Sequence, residues 1–202
     1  MAQPTFDELQ EAAGAVIGAL KGMPGFNQSR IVVIGGLGIW KHIRSYRSTM
    51  DVDLMITVHG APKDVKDRLL AIPNGPFAKR AEFFVYITGD KKEVQVDICP
   101  YWMGPYLPDP AMRIAEIPPG YIPYLTELDL LVFKVSSCGL RANEEKKLRD
   151  ANDAYTLALV LKKRGPIRLS TLQETIVRQG LAAVVERSPK EEGWWRTTLN
   201  IP

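Results

Sequence analysis

The chain has 202 residues, 46% hydrophobic and 24% charged, the balance of a soluble globular protein long enough to bury a core without staples. Two cysteines with no CxxC pair and only two histidines argue against a structural zinc site, and no apolar run reaches the ~18 residues of a membrane span. Net charge is only +3, with 13 basic against 8 acidic residues from 134 to 202; that mildly basic third can face phosphates or simply be a solvated helical surface. The first residues, MAQPTFDELQEAAG, carry early acids and no charged-then-apolar leader, so a cytoplasmic, reducing setting is expected.

Thr5 to Glu8 reads as a capping box, and Phe6, Leu9, Ala13, Val16, Ile17 and Leu20 recur at helical period. Gly22, Pro24 and Gly25 end that helix. Arg30 to Ile34 is a short β-branched run, a buried strand. Leu37 to about Arg44 makes a short helix, and Val52 to Val58 a second strand. Pro62 to Ile72 suits a helix with proline in its first turn. Glu82 to Thr88 and Lys92 to Ile98 flank Gly89-Asp90 as a hairpin. Seven of the 15 prolines then fall between Pro100 and Pro123, which excludes regular helix or a central strand. Its Tyr101, Trp102, Tyr106, Tyr121 and Tyr124 favour an extended segment wrapped on the domain over a free linker. Helices follow over Leu125–Leu140, Asn143–Lys163 and Ser170–Gln179, with a turn or short helix to Glu186. The end, EEGWWRTTLNIP, has no clear period and is expected to pack back onto the body.

The chemistry concentrates in IVVIGGLGIWKHIRSYRSTMDVD, residues 31 to 53. Alternation along a strand sends Asp51 and Asp53 to one face and Val52, Leu54 and Ile56 to the other. Two carboxylates so placed repel each other unless water or a cation compensates. In EVQVDICP, Asp97 lies on the polar face of another strand; if that strand is adjacent, three carboxylates converge. Oxygen donors alone, without histidine or cysteine, suit Mg²⁺ or Mn²⁺. Short D-x-D matches are also ordinary at strand ends in water. Gly35 and Gly36 stand where strand becomes helix, letting backbone N–H groups approach an anion; strand-to-helix turns use glycine without any ligand as well. Arg47, Ser48 and Thr49 precede the acids and can meet phosphate oxygens or orient a carboxylate, or form a plain polar loop.

The order of these pieces resembles the polymerase-β-type nucleotidyltransferase superfamily: an apolar strand, Gly-Gly, a short helix, an acid-x-acid strand, then a third acid in VQVDI. The stretch RSTMDVD is similar to the minimal nucleotidyltransferases of the abortive-infection toxin group. So is FKVSSCGLRANEEKKLRDANDAYTL, in which Lys134, Arg141, Arg149, Asp150 and Asp153 fall where that group carries its second set of charged residues. The resemblance covers about residues 30 to 160. Leu37 departs from it, standing where a serine or threonine is usual.

The expected fold is therefore α/β (α+β): a small mixed sheet with flanking helices over 1–124, including the proline-rich crossing segment, and a C-terminal helical region, 125–202, closing a cleft. The resemblance implies metal-dependent transfer of a nucleoside monophosphate from an NTP, ATP among them, to a hydroxyl acceptor, with release of pyrophosphate. Asp51, Asp53 and Asp97 would be catalytic and hold Mg²⁺ or Mn²⁺. Gly35, Gly36, Arg47, Ser48 and Thr49 would cradle the phosphates, with Lys134, Arg141 and Asp153 beside the nucleotide. The acceptor is an RNA end, a small molecule or a protein hydroxyl; no membrane partner is expected. Two alternatives stand beside this reading: an idle nucleotide-binding or scaffold protein of the same fold, and an RNA-binding module using the basic helical part.

Overall fold

A computed structural model describes residues 3–202, which divide into two compact units, one ending at Leu125 and the other Thr126–Pro202. In the first unit, α1 (Phe6–Lys21) is opened by the capping box of Thr5 and Glu8. Then come β1 (Arg30–Ile34), α2 (Gly35–His42), β2 (Asp51–Ile56), α3 (Lys63–Leu70), β3 (Phe77–Arg80), β4 (Phe83–Ile87), β5 (Glu93–Pro100) and a two-residue β6 (Met112–Arg113). The six strands form one mixed sheet in the order β3-β4-β5-β2-β1-β6. Among these strand pairs β2 and β5 run parallel and the other four pairs are antiparallel.

One face of that sheet carries the core. Leu9, Val16 and Leu20 of α1 and Val65 and Leu69 of α3 pack in one cluster with Val33, Val52, Leu54, Val96 and Ile98. Each such side chain, fully buried, contributes about 1.5–3 kcal/mol. The odd positions of β2 and β5 therefore turn to the opposite face.

The proline-rich segment lies along the outer edge of β1. Val33 donates its N–H to the Pro123 carbonyl at 2.8 Å and accepts from the Leu125 N–H at 3.1 Å. The Arg30 side chain donates Nε–H to the Ala111 carbonyl at 2.6 Å. A segment lacking many N–H donors thus covers a strand edge by borrowing donors from its neighbour. Of the aromatic residues expected to hold it, Tyr124 packs on the core and accepts from Gln10 Nε2–H at 3.1 Å, while the fully buried anchors are aliphatic. Ala111, Ile114, Ile117 and Leu125 are buried, whereas Tyr101, Trp102 and Tyr121 are exposed.

The second unit holds α4 (Glu127–Leu140), α5 (Glu144–Arg164), α6 (Thr171–Val185) and α7 (Glu192–Leu199), the first three capped by Thr126, Asn143 and Ser170. α6 runs through Gly180, where the sequence reading placed its end. A Cβ at Gly180 would lie 2.4 Å from the Val135 carbonyl oxygen, so the glycine lets α4 and α6 touch backbone to side. α7 fills the stretch that shows no period. It is pinned by Trp195, fully buried, whose indole N–H donates to Ser188 Oγ at 2.9 Å. Much of the basic charge in this unit is matched by acids one helical turn away: Arg149 with Glu145, Arg178 with Glu174, Arg196 with Glu192.

Candidate functional site

The register of the sheet assembles the acids. β2 and β5 pair in parallel with Asp51 opposite Gln95 and Asp53 opposite Asp97. β1 pairs with the other edge of β2, Ile34 opposite Asp53. One carboxylate oxygen from each of Asp51, Asp53 and Asp97 lies within 4.8 Å of the others, and all three residues are half-buried. The conditional expectation that a neighbouring strand would bring Asp97 to the pair is met.

Ile34 passes straight into α2, and the junction is tight. Gly35 has φ +67°, and a Cβ on it would stand 2.1 Å from Asp53 Oδ2. A Cβ on Gly36 would stand 2.5 Å from Thr49 Oγ1 and 3.3 Å from Arg47 Nη1. The two glycines therefore lie against the acid strand and the loop before it. Ile34, the residue ahead of the helix, gives α2 no side-chain cap. The first turn of α2 thus begins beside Asp53, and a helix N-terminus is a favourable end for negative charge. Gly35→Ala is expected to cost stability twice, through left-handed backbone (about 1–2 kcal/mol) and through displacement of Asp53. Urea unfolding should show that loss, and a variant as stable as wild type would mean the junction relaxes freely.

The loop residues are engaged with one another. Thr49 donates its hydroxyl to Asp51 Oδ1 at 2.7 Å, Arg47 donates Nη1–H to the Ser48 carbonyl at 3.0 Å, and the Gln3 amide donates to Ser48 Oγ. Thr49 so orients a carboxylate, one of the two roles open to it from the sequence. Gln95 donates Nε2–H to Asp97 Oδ2 at 2.9 Å. No sequence motif marks Gln95; its only signal is its place on the polar face of β5, two residues before Asp97.

Chemically, three oxygen donors with no soft ligand among them match a hard divalent cation. Three carboxylates this close are mutually repulsive, and a cation is the simplest group that relieves them. A concavity of about 660 Å³ in the same unit lies elsewhere, between α1 and residues 117 to 122, lined by Gly14, Gly18, Ile117 and Tyr121 and by none of the three acids.

Lys134, Arg141 and Asp153 belong to the second unit, where they form a cluster of their own. Lys134 Nζ lies 2.6 Å from Asp150 Oδ1 and 2.9 Å from Asp153 Oδ2. Asp150 Oδ2 also accepts from Ser137 Oγ and Arg141 Nε, each at 2.9 Å. Lys134, Ser137 and Arg141 share one face of α4, as their spacing requires. Asp150 takes Lys134 and Ser137 from α4 and Arg141 from its C-terminal cap, and Asp153 shares Lys134 with it. Burial pushes the Asp150 carboxyl up, but Lys134 and Arg141 more than offset this and hold it below the ordinary carboxylate value.

No protein-family model matches the chain, and no curated protein does. Among solved structures, an antigenic nucleotidyltransferase-like protein from Paracoccidioides brasiliensis is similar to it with a TM-score of 0.60, at 14% identity over 94% of this chain and 93% of that one. The solution structure of the antibiotic-resistance factor ANT(2'')-Ia aligns at a TM-score of 0.39 and 14% identity, over 86% of this chain and 95% of that one. The first likeness shows that the fold is the mixed α/β one of nucleotidyltransferase-like proteins.

Proposed function

We propose that the protein is a metal-dependent nucleotidyltransferase that moves a nucleoside monophosphate from an NTP to a hydroxyl acceptor. The observation that carries this reading is the convergence of Asp51, Asp53 and Asp97 beside a helix that begins in Gly35-Gly36. A divalent cation, Mg²⁺ or Mn²⁺, held by these three carboxylates would supply charge neutralisation at the phosphates and activation of the acceptor oxygen. Gly35 and Gly36 bring backbone N–H groups of α2 to the phosphates. Thr49 fixes the Asp51 carboxylate, and Arg47 and Ser48 line the same approach. Asp97 takes the proton of the acceptor hydroxyl as its oxygen bonds the α-phosphorus. The bond from that phosphorus to the pyrophosphate oxygen breaks, and pyrophosphate leaves. Rate enhancement comes from positioning and charge stabilisation, with no covalent enzyme intermediate.

The resemblance gives Lys134, Arg141 and Asp153 to the nucleotide. Their charges cancel internally with Asp150, two cations against two anions. We propose that they also fasten α4 to α5. The narrower likeness to abortive-infection toxins rests on RSTMDVD and on residues 134 to 153, and it is part of the same proposal.

A second reading, nucleotide binding without turnover, is favoured by Leu37. This residue is fully buried in the core and gives the phosphates no hydroxyl. One experiment separates the two from a fold with no nucleotide at all. Thermal unfolding is followed with each of the four common NTPs, with and without Mg²⁺, on wild type and on Asp51→Asn/Asp53→Asn. Ligand at about a hundredfold over its dissociation constant stabilises by roughly 2.7 kcal/mol, a rise of several degrees. The expected result is a metal-dependent rise lost in the double variant. No rise with any NTP removes both nucleotide readings, and a rise with no turnover selects the second.

A further inference from the structure

We propose that Gln95 is the positioning residue of the carboxylate cluster, acting through Asp97. The inference rests on the cation reading above and adds a residue to it.

Glu93, Gln95 and Asp97 alternate onto one face of β5. Glu93 is engaged with Arg80, whose Nε lies 2.7 Å from its carboxylate. Gln95 stands opposite Asp51 in the β2–β5 ladder and opposite buried Val85 in the β4–β5 ladder. One neighbour is thus an acid, and the other has no hydrogen-bonding side chain. Its amide N–H reaches along its own strand to Asp97 Oδ2 at 2.9 Å. Only the nitrogen end of the amide can face that oxygen, because carbonyl against carboxylate is repulsive.

The residue type is constrained by these neighbours. A glutamate would add a fourth acid directly opposite Asp51. A lysine or arginine would neutralise Asp97 and compete with any cation for it. An apolar residue would leave the half-buried Asp97 carboxylate without that donor. A neutral donor of this length adds no charge and fixes the carboxylate plane. Partners that orient a metal-binding carboxylate in this way are typically worth 10–100-fold in metal affinity.

The test uses Mn²⁺ alone as the probe, with free ion read by EPR during titration of the full metal-free chain. Gln95→Met keeps the side-chain length and removes the donor. It is expected to weaken Mn²⁺ binding about tenfold while the unfolding temperature of the metal-free protein stays at the wild-type value. In an Asp97→Asn background the same substitution is expected to change affinity by less than about twofold, since the carboxylate it orients is gone. An equal loss in both backgrounds shows that Gln95 acts elsewhere and overturns the inference. So does wild-type affinity in Gln95→Met, and in either case the cation reading survives. Absence of Mn²⁺ binding by wild type, by contrast, overturns the cation reading and this inference together.

Discussion

Asp53→Asn is expected to lower Mg²⁺-dependent transfer by at least about 10²–10³-fold while the metal-free fold is retained. The side chain sits against the strand-to-helix junction, where even a methyl on Gly35 would meet it at 2.1 Å. Asparagine preserves that shape, so no cavity opens. What is lost is one negative charge out of three, and with it the pull on a divalent cation. Like charges so close oppose folding, so metal-free stability should match wild type or rise slightly. Initial rates of pyrophosphate release and urea unfolding at one pH measure the two halves of this expectation. Near-normal turnover in Asp53→Asn would sink the metal assignment whatever the stability shows.

Lys134→Met should be among the most destabilising substitutions in the second unit. Lys134, Asp150 and Asp153 are 8%, 2% and 0% exposed, and the ammonium pairs with both buried carboxylates. Removing one partner of a buried ion cluster costs about 3–5 kcal/mol, because the two buried carboxylates then outnumber the remaining cation, Arg141. For a chain of this size that is a fall in unfolding temperature of roughly 6–20 °C. The pH dependence has a definite sign. The folded Asp150 carboxyl is held below its ordinary value, so its contribution is present above that ordinary value and is lost as pH falls through the lower folded one. Without Lys134 the burial that pushes the Asp150 carboxyl up is less opposed, and it leans toward the protonated form. The gap between variant and wild type should therefore be widest near neutrality and shrink in acid. Urea unfolding of both proteins at neutral and mildly acidic pH reads this directly. A gap below about 1 kcal/mol at neutral pH would return Lys134 to the nucleotide.

Elements whose signals are local were legible in the sequence. The capping box at Thr5, the hairpin around Gly89-Asp90 and the D-x-D alternation each place a structural feature from a few neighbouring residues. What escaped depends on partners far along the chain. β3 has only one buried side chain, Phe77, in four residues, and becomes a strand because β4 offers it a ladder. β6 has two residues, and only pairing with β1 defines it. Gly180 reads as a helix stop when the Val135 carbonyl beneath it is unknown. At the site the three acids stood out as a pattern, but their convergence depended on which strand neighbours β2. Gln95 carries no motif, since an amide beside an acid is informative only once the hydrogen bond between them is seen. Asp150 and Asp153 have lysines and an arginine one turn away on their own helix, and spacing alone could not favour Lys134 over them.

The parallel pairing of β2 with β5 also bears on the order of folding. A helix and a hairpin lie between these strands in the chain, so their contact closes a long loop, whereas β3, β4 and β5 follow one another through short turns. A partly folded chain with that meander formed and β2 undocked has Asp97 in place and no counterpart for it. The three-carboxylate cluster then exists only in the fully registered sheet, and a slip of one residue between β2 and β5 would send Asp97 to the core face. A cation that binds there should slow unfolding and leave the folding rate unaltered, so a stopped-flow record would mark this ladder as one of the last contacts to form.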